Sequence, residues 1–268
     1  MDHLQASQLT VAYDNEYIFK ELSLTIPMGK VSSIIGPNGC GKSTLLKTMS
    51  RLIKPQAGTV ILNGQNIYSM KTKEVAQELA ILNQTPQMPD GLTVYELVTY
   101  GRYPHRQRFK SLGSHDYEII DRALTDTGMM EFKDRTLDAL SGGQRQRAWI
   151  AMALAQETEM LFLDEPTTYL DMAHQLEILK LVKQLNEKTG CTIVMVLHDL
   201  NHAARFSDHL IAMKSGEIIY KGEPTEVICP LVLKTVFGIE ALITNDPISG
   251  APLCYSYDLC ASPVTSAK

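Results

Sequence analysis

Residues 36–44 read GPNGCGKST, and this stretch decides the fold. A predicted short buried strand, VSSII at residues 31–35, precedes it, and apolar residues at helical spacing follow it over residues 42–53. A glycine-rich turn that ends in Lys-Ser between a strand and a helix is typical of a phosphate-binding loop. Its glycines allow successive backbone N–H groups to point inward at phosphate oxygens. The stretch therefore predicts an α/β core that binds a nucleotide.

The loop predicts a binding site for ATP and Mg²⁺. Lys42 is placed to reach the β- and γ-phosphates, and Ser43 is placed to hold Mg²⁺. Cys40 lies inside the loop, so alkylation of its thiol would obstruct ATP. The residues that we expect to contact ATP are Gly36, Pro37, Asn38, Gly39, Cys40, Gly41, Lys42, Ser43 and Thr44.

An apolar run, MLFL at residues 160–163, is followed by two carboxylates, Asp164 and Glu165. Carboxylates at the end of a buried strand are costly unless they meet a cation or a proton-transfer partner. We expect Asp164 to act on Mg²⁺. We expect Glu165 to be the general base that polarises the attacking water, a role worth ~10²–10⁴ in rate. As an alternative, Asp164 and Glu165 form an N-cap pair before Pro166.

Residues 140–144 read LSGGQ and open a predicted helix. Helix starts bind anions, but one helix dipole contributes only about 0.3–1 kcal/mol near the surface. This is too little to hold ATP unaided, so the motif can contribute to ATP binding only if another site binds the phosphates as well. As an alternative, Ser141 is an N-cap residue and the glycines ease the turn.

The rest of the sequence fits one nucleotide-binding core with an antiparallel β layer and an inserted, mostly helical segment. Alternating apolar residues on both sides of Asp14-Asn15 predict antiparallel strands, and residues 59–62 return to that layer. Residues 84–159 are mostly helical in pattern. Further strands are expected at residues 80–83, 192–197, 210–213, 217–220, 241–244 and 253–257, and a helix at residues 173–188.

Composition narrows the class of protein. The chain has 268 residues and a net charge of −5, which argues against a protein that coats nucleic acid. Its five cysteines show no zinc-like spacing and fit reduced thiols. No run approaches the ~18 apolar residues that span a bilayer, and the first residues lack a secretory pattern. We expect a cytoplasmic chain that meets the membrane only through partners.

In this order, the P-loop, LSGGQ, the Asp-Glu strand and a later lone His198 resemble the motif set of ABC-transporter ATPase subunits. The resemblance covers residues 4–238. It implies a P-loop NTPase (RecA-like) core with an antiparallel β subdomain and an α-helical subdomain inserted at about residues 86–158. The ATPase domain would then span residues 1–240, with a short C-terminal extension at residues 241–268.

The resemblance also implies further roles. Tyr13 is similar to the aromatic residue that stacks on adenine. Gln84 is similar to the glutamine that touches Mg²⁺ and water, and His198 to the histidine that senses the γ-phosphate. ATP would lie between the P-loop of one chain and a second set of residues on the other chain. That second set is Ser141, Gly142, Gly143, Gln144 and Asp171.

Three stretches resemble the ATPases of iron(III)-siderophore importers and their haem and cobalamin relatives. They are residues 98–105 (VTYGRYPH), 166–177 (PTTYLDMAHQLE) and 198–205 (HDLNHAAR). In that family residues near 101–105 face the permease, which makes Arg102 and Arg106 candidate contacts. A soluble ABC ATPase for iron–sulfur cluster assembly is the rival interpretation from another class.

The subfamily implies a set of partners and a location. The partners are a second copy of the chain, two membrane-spanning permease subunits and, indirectly, an extracytoplasmic substrate-binding protein; no nucleic acid is expected. The ATPase would sit peripherally on the cytoplasmic face of the cell membrane. ATP would close the dimer, and hydrolysis would reopen it.

Overall fold

A mixed six-stranded sheet forms the centre of the computed structural model, which describes residues 4–14, 16–84, 91–106 and 111–260. Its strand order is β10-β9-β3-β8-β7-β6. Neighbours from β9 to β6 pair in parallel, and β10 closes one edge as an antiparallel hairpin with β9. The strands are β3 (Val31–Ile35), β6 (Leu79–Leu82), β7 (Met160–Leu163), β8 (Thr192–Val196), β9 (His209–Lys214) and β10 (Glu217–Gly222).

A second, antiparallel sheet covers one face of the first. It has the order β2-β1-β4-β5, and it contains β1 (Leu4–Tyr13), β2 (Glu16–Ile26), β4 (Ala57–Leu62) and β5 (Gln65–Asn66). The predicted alternation around Asp14 is confirmed, because β1 and β2 pair antiparallel from Leu4↔Ile26 to Tyr13↔Glu16.

Helices pack on both faces of the central sheet and form the inserted segment. They are α1 (Lys42–Met49), α2 (Thr72–Glu78), α3 (Val94–Tyr100), α4 (Ser114–Asp126), α5 (Gly142–Ala155), α6 (Met172–Thr189), α7 (Leu200–Phe206), α8 (Pro224–Val227) and α9 (Pro230–Phe237). Helices α3 to α5 make up the predicted helical segment. Within the described ranges no helix has the length and hydropathy to cross a bilayer.

The last described elements form a separate two-stranded sheet, β11 (Ile239–Asn245) and β12 (Pro252–Leu259). They cover the strands expected at residues 241–244 and 253–257. The hairpin packs on α7 and α9.

Alternate residues of the parallel strands enter two different cores. Ile34 and Val194 pack with the antiparallel sheet and α1. Ile35 and Ile193 pack with the helices on the opposite face. Because both faces of the sheet are covered, its central strands β7 (MLFL) and β8 (TIVMV) are buried along their whole length, which is why they appear in the sequence as nearly continuous apolar runs.

The helix after the P-loop is shorter than predicted. It ends at Met49, where Arg51 adopts a left-handed conformation with φ of 68°. The amides of Leu52 and Ile53 both bond to the carbonyl of Lys47, so the chain turns away from the helix axis. Periodicity extended the prediction to Ile53 because this residue still packs against the core beyond the turn, whereas Leu52 is exposed.

The prediction that Arg102 contacts a partner is wrong, because its side chain is only 3% exposed. Its guanidinium donates to Asp116 at 2.9 Å, to the carbonyl of Ala155 at 2.8 Å and to Glu157 at 3.0 Å. It thereby ties the end of α3 to the start of α4 and the end of α5. Arg106 is exposed, and the neighbouring residues 107–110 lie outside the described residues.

Replacing Arg102 with methionine should lower the free energy of unfolding by about 2–3 kcal/mol, because hydrogen bonds to charged groups contribute on this scale. Urea unfolding of the two variants measures the loss. Arg106→Met is the matched control, and it should stay within about 0.5 kcal/mol of the original chain. Equal losses for the two variants would contradict the structural role of Arg102.

Candidate functional site

The P-loop connects β3 to α1 and is shaped by two glycines. A Cβ at Gly36 would lie 2.2 Å from the carbonyl oxygen of Met213 on β9. Gly41 has φ of 102° immediately before α1, in the left-handed region that favours glycine. The helix therefore begins without a side-chain cap, and its first amides remain directed at the loop.

Lys42 is held inside the loop that it completes. Its ammonium donates to the carbonyls of Gly36 and Pro37, each at 2.9 Å, and the residue is 5% exposed. The loop carbonyls thus stabilise the charge before any phosphate arrives. The contact of Lys42 with the β- and γ-phosphates stays a prediction.

Ser43 and Asp164 come together, as the sequence predicts. The hydroxyl of Ser43 donates to Oδ1 of Asp164 at 2.7 Å, and Asp164 is 2% exposed. Lys47, one turn along α1, lies 3.2 Å from Oδ2 of the same carboxylate. Sequence reasoning missed Lys47, although its position four residues after Ser43 places it on the same helix face.

Glu165 is contacted by three side chains from different segments. Oε2 accepts from Gln84 at 2.7 Å and from Thr168 at 3.0 Å, and Oε1 lies 2.6 Å from Nε2 of His198. The residue has φ of 54°, a conformation that costs energy for a side chain larger than glycine. The three contacts hold the carboxylate in place. Thr168 was not predicted, because threonine is common in loops.

Glu165 and His198 line one cleft with residues of the P-loop, at the carboxyl ends of the parallel strands, the edge where α/β sheets bind ligands. Its volume is about 460 Å³. The lining residues are Ile18, Asn38, Gly39, Gly41, Lys42, Ser43, Thr44, Glu165 and His198. Tyr13 is 47% exposed near the end of β1 and is not among them.

The LSGGQ residues form the capped start of α5, outside the lining of this cleft. The hydroxyl of Ser141 accepts from the amide of Gln144 at 3.3 Å, and the Gln144 side chain accepts from the amide of Ser141 at 3.0 Å. Gly143 is buried against His174, whose ring carbon would lie 2.4 Å from an added Cβ. The glycine is therefore required by close packing.

Asp171 caps α6 beside the LSGGQ motif. Its carboxylate accepts from the amide of His174 at 2.9 Å and lies 2.8 Å from Nδ1 of that ring. These hydrogen bonds, the backbone one first, hold the pKa of Asp171 below its usual value. The sequence predicted no role for His174, which links Asp171 to Gly143.

The oxygen atoms at the P-loop fit a small hard cation. Ser43 supplies a hydroxyl, Asp164 a carboxylate and Gln84 an amide oxygen, the donors that Mg²⁺ prefers. Among the described residues no cluster of three or more His, Cys, Asp or Glu side chains could hold a metal by itself. Mg²⁺ commonly keeps waters and substrate phosphates as part of its coordination shell.

Comparison with known proteins identifies the class of protein. A model of the ABC transporter family matches residues 19–168. The chain therefore belongs to the ABC transporter family, as an ATP-binding subunit.

Individual relatives match over nearly the whole chain. The iron(3+)-hydroxamate import ATP-binding protein FhuC of Bacillus subtilis (strain 168) is 56% identical over 97% of this chain and 96% of its own length. The ferric enterobactin transport ATP-binding protein FepC of Escherichia coli (strain K12) is 46% identical over 93% and 92%.

Solved structures agree with this assignment. An inward-facing transporter described as of the metal-chelate type gives a TM-score of 0.82 at 26% identity, covering 96% of this chain and 97% of that one. A dimeric cassette, MJ0796, bound to ADP and phosphate gives 0.71 at 29% identity, covering 82% and 98%.

We expect Glu165→Gln to bind ATP and dimerise but to hydrolyse it about 10²–10⁴-fold more slowly, because the amide cannot take a proton from water. Single-turnover hydrolysis and ATP binding measure the two properties separately. Glu187→Gln, on the exposed surface of α6, is the control with the same chemical change. Normal hydrolysis by Glu165→Gln would refute the general-base role.

Cys40→Ser should keep the turnover number within about threefold, because the loop binds phosphate through backbone groups. Burial raises the pKa of the Cys40 thiol in spite of the nearby Lys42, so the thiol stays protonated and reacts slowly with iodoacetamide. ATPase assays with and without the reagent test both statements. A tenfold loss in Cys40→Ser would show that the thiol itself is needed.

Proposed function

We propose that this chain energises the uptake of ferric siderophores through a membrane permease. The observation that carries the proposal is the 56% identity to an iron(3+)-hydroxamate import ATPase over 97% of the chain. A relative named for ferric enterobactin supports the same cargo class, although its siderophore differs. The ATPase lies apart from the cargo, so its own site residues carry no information on which siderophore is transported.

The working unit in this proposal is a dimer of two identical chains. The P-loop cleft and the capped start of α5 are separate on one chain, so ATP in the cleft lacks the contacts of Ser141 to Gln144. A second copy would supply them, together with Asp171. Shifting the equilibrium between separate and paired chains from 1:99 to 99:1 takes about 5.5 kcal/mol of difference in ATP affinity between the two states. Two bridging ATP molecules can provide this difference.

Hydrolysis in this proposal depends on Glu165 and its partners. Gln84 and His198 hold the carboxylate at the mouth of the cleft, where it can take a proton from a water that attacks the γ-phosphate. Lys42 binds the phosphate oxygens. Ser43, Asp164 and Gln84 would hold Mg²⁺, which when bound neutralises phosphate charge. Tyr13 would stack on the adenine.

A tyrosine-lined groove on the helical segment is the surface that we assign to the permease. Its volume is about 390 Å³. Tyr100, Tyr103 and Tyr117 are 52%, 72% and 45% exposed there, and Arg106 lies at the same groove. Exposed tyrosines beside an arginine are typical of the energetic centre of a protein interface. The permease would place the chain on the cytoplasmic face of the membrane.

Two alternatives remain distinguishable by experiment. Haem or cobalamin import would use the same ATPase and differ only in cargo. A soluble ATPase for iron–sulfur cluster assembly would have no permease partner.

Two further expectations stay predictions. They are the domain limits at residues 86, 158 and 240, and an extracytoplasmic substrate-binding protein that acts through the permease.

Tyr103→Ala should weaken association with the permease by about tenfold or more, since truncating an interface tyrosine commonly has effects of this size. Co-purification from detergent-solubilised membranes measures the association. Tyr220→Ala, an exposed tyrosine on β10 away from the groove, is the matched control and should bind normally. Equal binding by both variants would rule out the groove as the docking surface.

Reconstitution with the co-purified permease and binding protein tests the cargo. We expect ATP to drive uptake of ferric hydroxamate or catecholate siderophores and not of haem or cobalamin. Uptake of cobalamin alone would overturn the siderophore assignment and leave the importer intact. Recovery of soluble scaffold proteins without a permease would overturn transport itself.

A further inference from the structure

The C-terminal hairpin, β11 and β12, contacts the segment that follows His198. Asn201, in the first turn of α7, donates from its side-chain amide to the carbonyl of Cys254 at 3.0 Å. Its side-chain oxygen accepts from the amide N–H of Cys254 at 2.8 Å. One side chain thus satisfies both backbone groups of a residue on β12.

This pair of hydrogen bonds has the pattern of a strand-to-strand contact. β12 pairs with β11 on one side, and its other edge would otherwise present free backbone groups. The Asn201 amide takes the place of a neighbouring peptide at Cys254, which is 7% exposed. Two reciprocal hydrogen bonds fix the orientation of the amide as well as its distance.

A second contact joins the same two elements. Arg205 lies one turn after Asn201 on α7. Its guanidinium lies 3.9 Å from the carboxylate of Asp246, which follows β11 at the turn of the hairpin. Residues four apart share a helix face, so α7 presents one face to the hairpin. Ala203 and Ala204 of the same helix are buried in the core. α7 is thus fixed between the core and the hairpin.

The start of α7 in turn sets the position of His198. Asp199 caps the helix by accepting the amide of His202 at 2.7 Å, and His198 is the residue before the cap. His198 lies 2.6 Å from Glu165, although 43% of its side chain is exposed. Solvent does not restrict the movement of an exposed ring. The backbone that carries His198 must therefore be rigid for the ring to keep its contact with Glu165.

We propose that Asn201 is a positioning residue for ATP hydrolysis, which holds the His198 loop by anchoring α7 to the C-terminal hairpin. This rests on the proposed role of His198 and extends it to a residue and an element outside the cleft. The hairpin is then part of the catalytic framework. Because Asn201 touches neither the P-loop nor the LSGGQ residues, its loss should affect turnover more than ATP binding.

The test is Asn201→Asp in the full-length chain, which keeps the shape of the side chain but places a carboxylate oxygen against the carbonyl of Cys254. Small displacements of catalytic groups cost up to about 10²-fold in rate, so we expect a fall of about tenfold in kcat with KM for ATP within about twofold. Asn201→Ala, which adds no charge, should behave the same way and carries the test if Asn201→Asp does not fold. Gln184→Glu, on the exposed surface of α6, makes the same change from amide to carboxylate away from the hairpin; it is the control for charge and should keep the original kcat.

A double-mutant cycle with His198→Ala separates this inference from the proposed role of His198. Rates are measured in single turnover with enzyme in excess. If Asn201 acts through His198, the tenfold effect of its replacement should shrink to less than twofold in the His198→Ala background. An equal effect in both backgrounds, or the same loss in Gln184→Glu, would overturn the positioning role alone. Normal hydrolysis by His198→Ala would overturn the role of His198 and this inference with it.

Discussion

The hydrogen bond between Ser43 and Asp164 is the contact on which the rest of the site depends. It joins the start of α1 to the end of β7, two elements that are 121 residues apart in the chain. Asp164 is almost fully buried, so its charge must be compensated locally, and Lys47 and the Ser43 hydroxyl provide that compensation. The P-loop and the Asp-Glu strand are thereby held in one geometry.

The residues proposed for catalysis are arranged around this contact. Glu165 follows Asp164 directly, and its left-handed backbone turns the carboxylate toward Gln84 and His198. These partners come from the ends of β6 and β8, which flank β7 in the parallel sheet. The sheet order therefore explains why residues distant in sequence meet at Glu165. The strained backbone persists because three side chains hold it.

Much of the fold and site could be predicted because single segments carry the information. The P-loop needs glycines at particular positions, and buried parallel strands appear as continuous apolar runs. What the sequence did not reveal depends on contacts between distant segments. Arginine is usually found at the surface, yet three acceptors from α4 and from the end of α5 onward allow Arg102 to be buried. The contacts of His174 with Gly143 and of Asn201 with Cys254 also exist only after the chain has folded.

The central claim is that each ATP is shared between two chains, and its most direct test is the concentration dependence of ATP affinity. The apparent Kd of a non-hydrolysable ATP analogue is measured at increasing protein concentration. A ligand that bridges two chains binds more tightly as dimerisation is favoured, by mass action. The account predicts that affinity rises with protein concentration and that Ser141→Arg removes the rise. An affinity that is independent of concentration would contradict it.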